Sequence, residues 1–315
     1  MESLLGPTML FSQEVGSLIG AVGMISLAVS WHQRKSDGVK LAQLGWVLVG
    51  LTFFNDASKY LAHDDPVLTV FCTAALPMGI GMAMWESRVQ EESTRSSLIW
   101  ARGAIAYAGG PYLLIAHVPW LNVLAIWFVA SQAALFLRFS GTGDVVLGET
   151  TVNTVNGEVA WSAWDGNRWF MGEFVGEYPF QTELLLSDGS AIGINFVLAC
   201  TALQSMVIFI GAIAVLDIDL RRRCQALLLT VPVINILNLF RNAGLIWMHM
   251  TYTEWSYLGM SVFEFGHAYA ASVVSLGAMF LMALIMFDIL PELHRHIVRL
   301  LRPLGLMQPK KNSKT

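Results

Sequence analysis

Charged residues are scarce in this sequence. Asp, Glu, Lys and Arg make up 13% of its 315 residues, whereas hydrophobic residues make up 55%. A soluble domain of this length normally has about 25% charged residues. The composition therefore argues against an ordinary soluble enzyme and indicates a chain that lies largely within a membrane.

Cysteines and recognisable cofactor motifs are also few. The three cysteines, Cys72, Cys200 and Cys224, do not form a disulfide framework. The sequence lacks H-E-x-x-H, a G-x-S-x-G motif within a hydrophobic run, and the glycine motifs that bind phosphates or dinucleotides. We therefore expect neither a metal ion nor a cofactor, and nothing in the sequence indicates a nucleic-acid partner. The N-terminus has no basic region or small-residue cleavage site, so we expect no cleaved signal peptide.

Long hydrophobic runs, in contrast, are abundant. A membrane-spanning helix needs about 20 mostly apolar residues, and runs of about this length recur along the chain. Eight of them lie at 14–31, 41–62, 66–86, 98–117, 119–139, 194–216, 225–250 and 262–288. The sequence therefore predicts an all-α polytopic membrane protein with about eight transmembrane helices.

A polar stretch at 141–192 separates the fifth run from the sixth. Within it, Asn156-Gly157 and Asp165-Gly166 stand between runs of alternating hydrophobicity, and Asp188-Gly189 follows further on. Asn-Gly and Asp-Gly pairs in this setting are typical of tight β-hairpin turns. We therefore predict a small insert of β-hairpins between the membrane helices.

These patterns predict four regions. Residues 1–140 form an N-terminal transmembrane bundle of about five spans, and 141–192 form the β-rich insert. Residues 193–290 contribute three further transmembrane helices, which carry the candidate catalytic residues described below, and 291–315 form a basic tail.

The distribution of basic residues predicts the orientation of the second half. Basic residues follow the sixth and eighth runs, and the positive-inside rule places both groups in the cytoplasm. They are Arg221, Arg222, Arg223, Arg295, Arg299, Arg302, Lys310, Lys311 and Lys314. The insert then lies outside the cell, and Cys200 lies near the outer face. The orientation of the first four spans stays open. With eight spans, Arg34, Lys35 and Lys40 would lie outside, against the positive-inside rule, unless one run within 98–139 is re-entrant or interfacial.

Three reactive or charged side chains stand in the last three hydrophobic runs. They are Cys200, Arg241 and His267. At about 1.5 Å of rise per helical residue, all three fall within roughly 8–14 Å of the outer boundary. An arginine within a membrane span is costly unless it is paired or hydrated, so it marks a candidate functional site. We therefore predict that these side chains meet in one layer beneath the outer surface.

Polar neighbours extend this predicted site. Asn235, Asn238 and Arg241 recur on one face of the seventh run, together with Asn242. Glu264 precedes His267 by three residues and is placed to orient or charge it. Gln204 adds a polar side chain one turn after Cys200. We list these four, Asn235, Asn238, Glu264 and Gln204, as supporting or substrate-contacting residues.

A thiol, an imidazole and a guanidinium together suit acyl transfer. A nearby base or positive charge favours the thiolate that attacks a carbonyl. A cationic donor stabilises the oxyanion that follows. The alternative is a transporter or proton-coupled binding protein in which Arg241, Asn235, Asn238 and His267 hold a solute or relay protons. That alternative gives Cys200 no essential role.

Three short motifs carry a resemblance to a known family. ACTALQS at 199–205, NLFRNAGLI at 238–246 and FEFGHAYAAS at 263–272 resemble segments of the exosortase/archaeosortase family. The resemblance implies a multi-pass thiol transpeptidase that sorts surface proteins and anchors them to lipid. Cys200 would form an acyl-thioester, Arg241 would hydrogen-bond the intermediate, and His267 would stabilise the transition state.

The resemblance also implies the partners. Precursors of surface proteins would carry a C-terminal signal made of a Pro-Gly-Phe-like motif, a hydrophobic helix and a basic end. The enzyme would cleave near the motif on the outer face and pass the new C-terminus to a membrane lipid. The sequence indicates no particular oligomeric state.

Overall fold

The computed structural model describes residues 10–33, 38–62, 66–170, 176, 178–257 and 259–304, so Arg34, Lys35 and the end of the predicted basic tail lie outside the described residues. Those residues are mostly helical. The helices are α1 Gln13–Gln33, α2 Gly38–Ala62, α3 Pro66–Arg88, α4 Glu92–His117, α5 Pro119–Phe139, α6 Leu203–Ala214, α7 Leu220–Thr251, α8 Val262–Phe265, α9 Ala271–Ile289 and α10 Pro291–Leu301. The strands are β1 Val145–Thr154, β2 Gly157–Ala160, β3 Phe180–Leu186, β4 Ala191–Phe196, β5 Ser256–Tyr257 and β6 Met260–Ser261.

Four of the described helices are long and apolar enough to cross a membrane: α1, α3, α5 and α7. A fifth span is added if α9 and α10, which are bent by 115° at a short break, count as one. The helices α2 and α4 form over two other predicted runs but are less apolar than a span requires, since they include polar residues such as Asn55 and Arg102. The prediction of about eight transmembrane helices is therefore not confirmed.

The chain divides into two compact units. The first consists of residues 1–113, 210–223 and 286–315, and the second of residues 114–209 and 224–285. In the first unit, α2 packs closely on α3 through glycines. A side chain at Gly79 would place its Cβ 2.5 Å from the carbonyl oxygen of Trp46, and one at Gly50 would lie 2.7 Å from that of Ala75. Small residues of this kind let two helices approach at backbone contact.

A buried ion pair ties the helices of the first unit together. Arg102 on α4 is 2% exposed and Glu86 on α3 is 4% exposed. The guanidinium donates twice to the carboxylate, from Nε to Oε1 at 2.8 Å and from Nη2 to Oε2 at 2.5 Å. Trp46 on α2 donates Nε1 to the same carboxylate at 3.1 Å. Two charges buried in this way are tolerated because their hydrogen bonds are met.

The second unit contains the β-rich insert as a four-stranded antiparallel sheet in the order β2-β1-β3-β4. The turns predicted at Asn156-Gly157 and Asp188-Gly189 are confirmed, with Gly157 and Gly189 at φ +111° and +87°. The hairpin predicted at Asp165-Gly166 is wrong, since no strand forms across 161–170. There the side-chain oxygen of Asn167 accepts hydrogen bonds from the backbone N–H groups of Trp169 and Phe170. These bonds stabilise a compact turn.

The core of the second unit lies between α5 and the sheet. One face of α5 contributes small and branched residues, and the inward faces of the strands contribute larger ones. They include Val123, Ile126, Ala130, Ala133, Val145, Val152, Phe180, Leu184, Ile194 and Phe196, all at most 5% exposed. Because α5 is long and apolar, this packing fixes the sheet against a candidate membrane helix.

The helix predicted at 194–216 is wrong in its first half. Ile192, Ile194 and Phe196 are buried while their neighbours are exposed, which is the period of two expected of a strand. These residues form β4, and α6 begins only at Leu203. The correction matters for function, because it moves Cys200 from the wall of a helix into the link between a strand and a helix.

Candidate active site

Cys200 lies in a tight 3-10 turn, Leu198–Thr201, between β4 and α6. Its N–H donates to the carbonyl of Val197 at 2.9 Å, and Thr201 Oγ1 donates to the carbonyl of Leu198 at 2.7 Å. The next residue, Ala202, is left-handed at φ +51° and ψ +17°. It is the one non-glycine residue with positive φ in the described part of the chain. Such strain in an alanine persists only where surrounding contacts impose it, as at many functional sites.

Two asparagines of α7 hold the backbone of Cys200. Asn238 and Asn242 each donate Nδ2 to its carbonyl oxygen, both at 2.9 Å. Both asparagines are buried, at 7% and 4% exposure. They lie one helical turn apart, so their side chains project from the same face of α7. This pair fixes the turn that presents the thiol.

Arg241 connects this pair to His267. Its Nη1 donates to Oδ1 of Asn242 at 3.1 Å, and its Nη2 lies 3.5 Å from Nδ1 of His267. A guanidinium only donates, so the acceptor in the second contact is the lone pair of Nδ1. In the neutral imidazole the proton is then on Nε2. The structure therefore brings Arg241 beside His267 and places Asn242 between Arg241 and Cys200.

His267 lies on an irregular turn, Gly266–Ala270, where the helix widens to π geometry before α9. Such widened turns recur at functional sites. The imidazole stacks on Phe263, with ring centroids 5.6 Å apart and planes 17° apart. Gly266 is buried, and a Cβ there would meet Leu245 of α7 at 2.9 Å. The glycine thus allows the close approach to α7 that brings His267 to Arg241.

The other predicted residues lie in different surroundings. Asn235 donates Nδ2 to Gln132 Oε1 on α5 at 3.1 Å, so it joins two helices. Glu264 accepts from the N–H of Ser261 at 2.7 Å and forms a capping box at the start of α8, so its carboxylate caps a helix. Gln204 is exposed in the first turn of α6.

The thiol of Cys200, which lies outside the membrane-length helices, has a perturbed acidity. Burial raises its pKa, while a hydrogen bond from the backbone of Val197 to the thiol and the charge of Arg241 act in the opposite direction. The thiol form is therefore favoured at neutral pH. Cys72 is buried in α3 and Cys224 is exposed at the start of α7. Among the described residues, no cluster of three His, Cys, Asp or Glu side chains is arranged to hold a metal ion.

The sequence placed Asn242 on the polar face of α7 but did not indicate that it contacts Cys200. Its position in the polar stripe of α7 was visible, but the contact with the Cys200 carbonyl depends on β4 and on the turn after it. The spacing of Asn238 and Asn242, four residues apart on a helix, was the signal that two amides would converge on one acceptor.

A comparison with known proteins shows similarity to a curated protein. Archaeosortase A from Haloferax volcanii is 41% identical over 218 residues. The match covers 68% of this chain and 64% of that protein, so the chain spans less than two thirds of the relative's length. No protein-family model matches the chain, and no solved structure matches it.

Proposed function

We infer that this chain, whose similarity to Archaeosortase A supports its assignment to the archaeosortase/exosortase family, is a membrane-embedded thiol transpeptidase that processes surface proteins. The observation that carries the inference is the chain of contacts from Cys200 through Asn242 to Arg241 and His267. A thiol on a strained turn that is linked through Asn242 to a cation and an imidazole suits acyl transfer.

The first step is attack of Cys200 Sγ on the scissile carbonyl carbon of the substrate. A C–S bond forms, and the carbonyl oxygen becomes an oxyanion. Arg241 and the Nε2–H of His267 are the donors that stabilise this charge, and a site of low polarity strengthens their effect. Arginine stays protonated in proteins, so it acts as a hydrogen-bond donor and not as a source of protons.

Collapse of the intermediate completes the first half of the reaction. The C–N bond breaks, the proton of the thiol ends on the leaving nitrogen, and the new C-terminus stays bound as a thioester. An amine of a membrane lipid then attacks the thioester. The C–S bond breaks, an amide forms, and a proton returns to sulfur.

The proposed substrate class rests on the family resemblance of the three sequence motifs. We propose that the substrates are precursors of surface proteins with a C-terminal signal composed of a Pro-Gly-Phe-like motif, a hydrophobic helix and a basic end. A hydrophobic helix in the substrate is compatible with an enzyme whose described helices include four of membrane-spanning length. We further propose that the site opens to the outer face and that the C-terminus is cytoplasmic, as the positive-inside rule indicates.

The test is substitution of Cys200 in the full chain. Cys200→Ala should abolish processing of a precursor that carries the C-terminal signal, and mass spectrometry should detect no acyl-enzyme. Cys224→Ala, which removes an exposed thiol, is the matched control and should keep full activity. Processing that continues in Cys200→Ala would refute the thiol mechanism and favour a transporter or binding protein.

A further inference from the structure

We propose that β4 is the docking edge for the substrate, where an extended peptide segment adds to the sheet as a fifth strand beside Cys200. The proposal rests on the proposed function and specifies how that site holds its substrate. Peptides that bind in this way gain affinity from main-chain hydrogen bonds and specificity from alternate side chains.

The position of β4 in the sheet is the first argument. It is an edge strand, and among the described residues only β3 pairs with it. Val197, which follows β4, is also extended at φ −125° and ψ 171°, so the strand direction continues to the turn that contains Cys200. The edge therefore leads directly to the thiol, and edge strands offer backbone groups to another chain.

Alternation along the strands identifies the backbone groups that point outward. Leu186 donates its N–H to the carbonyl of Ser190 at 2.9 Å, so the backbone N–H and carbonyl of Leu186 point toward β4. Because these directions alternate along a strand, the backbone groups of Thr182, four residues earlier, point toward β4 as well. Thr182 lies opposite Phe196, so Phe196 directs its backbone groups toward β3. Asn195, one residue before, therefore directs its N–H and carbonyl away from the sheet.

The side chains around this edge leave Asn195 accessible. Ile194 and Phe196 turn into the core and are 5% and 2% exposed, whereas Asn195 is exposed. Its Nδ2 donates to Oε1 of Gln181 on β3 at 3.0 Å. This cross-strand contact holds the side chain over the sheet and away from the outward-pointing backbone groups.

The far end of β4 is covered by α7. Nε2 of His249 lies 3.0 Å from the carbonyl oxygen of Ile192. The register of β4 against β3 shifts at this point, between the Asn195 and Ala191 pairs. The same helix contacts the chain again at the carbonyl of Cys200, through Asn238 and Asn242. The open portion of the edge is therefore the part between these contacts, at Asn195, and a strand bound there would run toward the turn that contains Cys200.

An extended polypeptide is the chemical class that fits this edge. Its N–H and carbonyl groups are not engaged with each other, so they can pair with Asn195. Pairing fixes both the depth and the direction of the peptide, and such fixed geometry is what brings a scissile carbonyl within reach of a nucleophile.

Two substitutions at one position test the proposal. Asn195→Pro removes the outward N–H and leaves the pairing of Phe196 with β3 in place, since proline is tolerated at sheet edges. Asn195→Ala keeps the N–H and loses only the contact with Gln181, so it is the matched control. With a synthetic peptide that carries the Pro-Gly-Phe motif, a hydrophobic helix and a basic end, we expect KM to be about three- to tenfold higher in Asn195→Pro than in Asn195→Ala. Equal KM values in the two variants would overturn the docking edge.

A second measurement leaves the protein unchanged. Versions of the peptide are N-methylated at one backbone position at a time near the cleavage site. Because successive residues of a strand point to opposite sides, every second methyl group should weaken processing. Sensitivity at all positions, or at none, would overturn the strand-pairing mode even if Asn195→Pro failed to fold.

Cys200→Ala distinguishes the two proposals. If this variant still cleaves the peptide, the thiol transpeptidase function is wrong. If cleavage depends on Cys200 but is indifferent to Asn195→Pro and to N-methylation, only the docking edge is wrong.

Discussion

Asn242 donates its side-chain amide to the backbone carbonyl of Cys200 at 2.9 Å and, through its oxygen, accepts from Arg241 at 3.1 Å. One buried amide thus fixes the distance between the nucleophile and the cation that is proposed to stabilise the oxyanion. Supporting hydrogen bonds of this kind set the geometry of a reactive group without contacting the substrate.

Asn242→Ala should lower kcat by about tenfold or more with little change in KM, because the cation and the thiol lose their common partner while the substrate edge is unchanged. Steady-state kinetics on the purified full chain measures this. Asn235→Ala is the control, since Asn235 bonds to Gln132 on α5 and not to Cys200. An equal loss in the two variants would show that Asn242 has only a structural role.

Arg241→Lys should reduce kcat by about a hundredfold. The guanidinium donates in two directions, toward Asn242 and toward His267, and a single ammonium on a flexible stem does not reproduce that fork. The measurement is single-turnover formation of the acyl-enzyme, with thermal unfolding as the check on folding. Near-normal acylation by the lysine variant would show that charge alone suffices.

The alkylation rate of Cys200 should rise at a higher pH than that of a free cysteine. Burial raises the pKa of this thiol, so in a background without Cys72 and Cys224 the rate of alkylation by iodoacetamide should have a midpoint above about 8.5. Arg241→Ala should move the midpoint further up, because the positive charge favours the thiolate. A midpoint at or below that of a free thiol contradicts the burial argument.

Glu86→Gln should destabilise the folded protein by about 3–5 kcal/mol, because it leaves the buried charge of Arg102 without its partner. The double variant Glu86→Gln with Arg102→Met should recover part of that loss. Thermal unfolding in detergent measures both. Glu92→Gln breaks an exposed pair with Arg95 and should cost at most about 1 kcal/mol. Similar losses of stability in Glu86→Gln and Glu92→Gln would show that burial does not decide the contribution of these ion pairs.

The sequence predicted most of the helices because a long hydrophobic run is a strong local signal. Residues 119–139 were predicted as a span and form α5 over Pro119–Phe139. The first half of 194–216 was misassigned because a buried strand and a buried helix are both apolar. The signal of a strand was the alternation of Gly193 and Asn195 with apolar residues, which matches the alternating burial in β4.

The candidate site was predictable in its residue types and not in its geometry. The polarity of Arg241 and His267 within apolar runs indicated a site, and the structure places the two side chains 3.5 Å apart. The contacts to the Cys200 carbonyl could not be predicted, because they depend on a left-handed alanine and on a strand that ends four residues before the cysteine. Their roles in catalysis stay predictions.

The buried pair of Glu86 and Arg102 has a consequence for biogenesis. Only a three-residue connection, 89–91, separates α3 from α4, so the two charges belong to adjacent arms of one helical hairpin. Either helix alone would bury an uncompensated charge, which is costly, whereas the two helices packed together satisfy both charges. We therefore expect α3 and α4 to acquire their buried packing in one step, as a hairpin, and not one helix after the other.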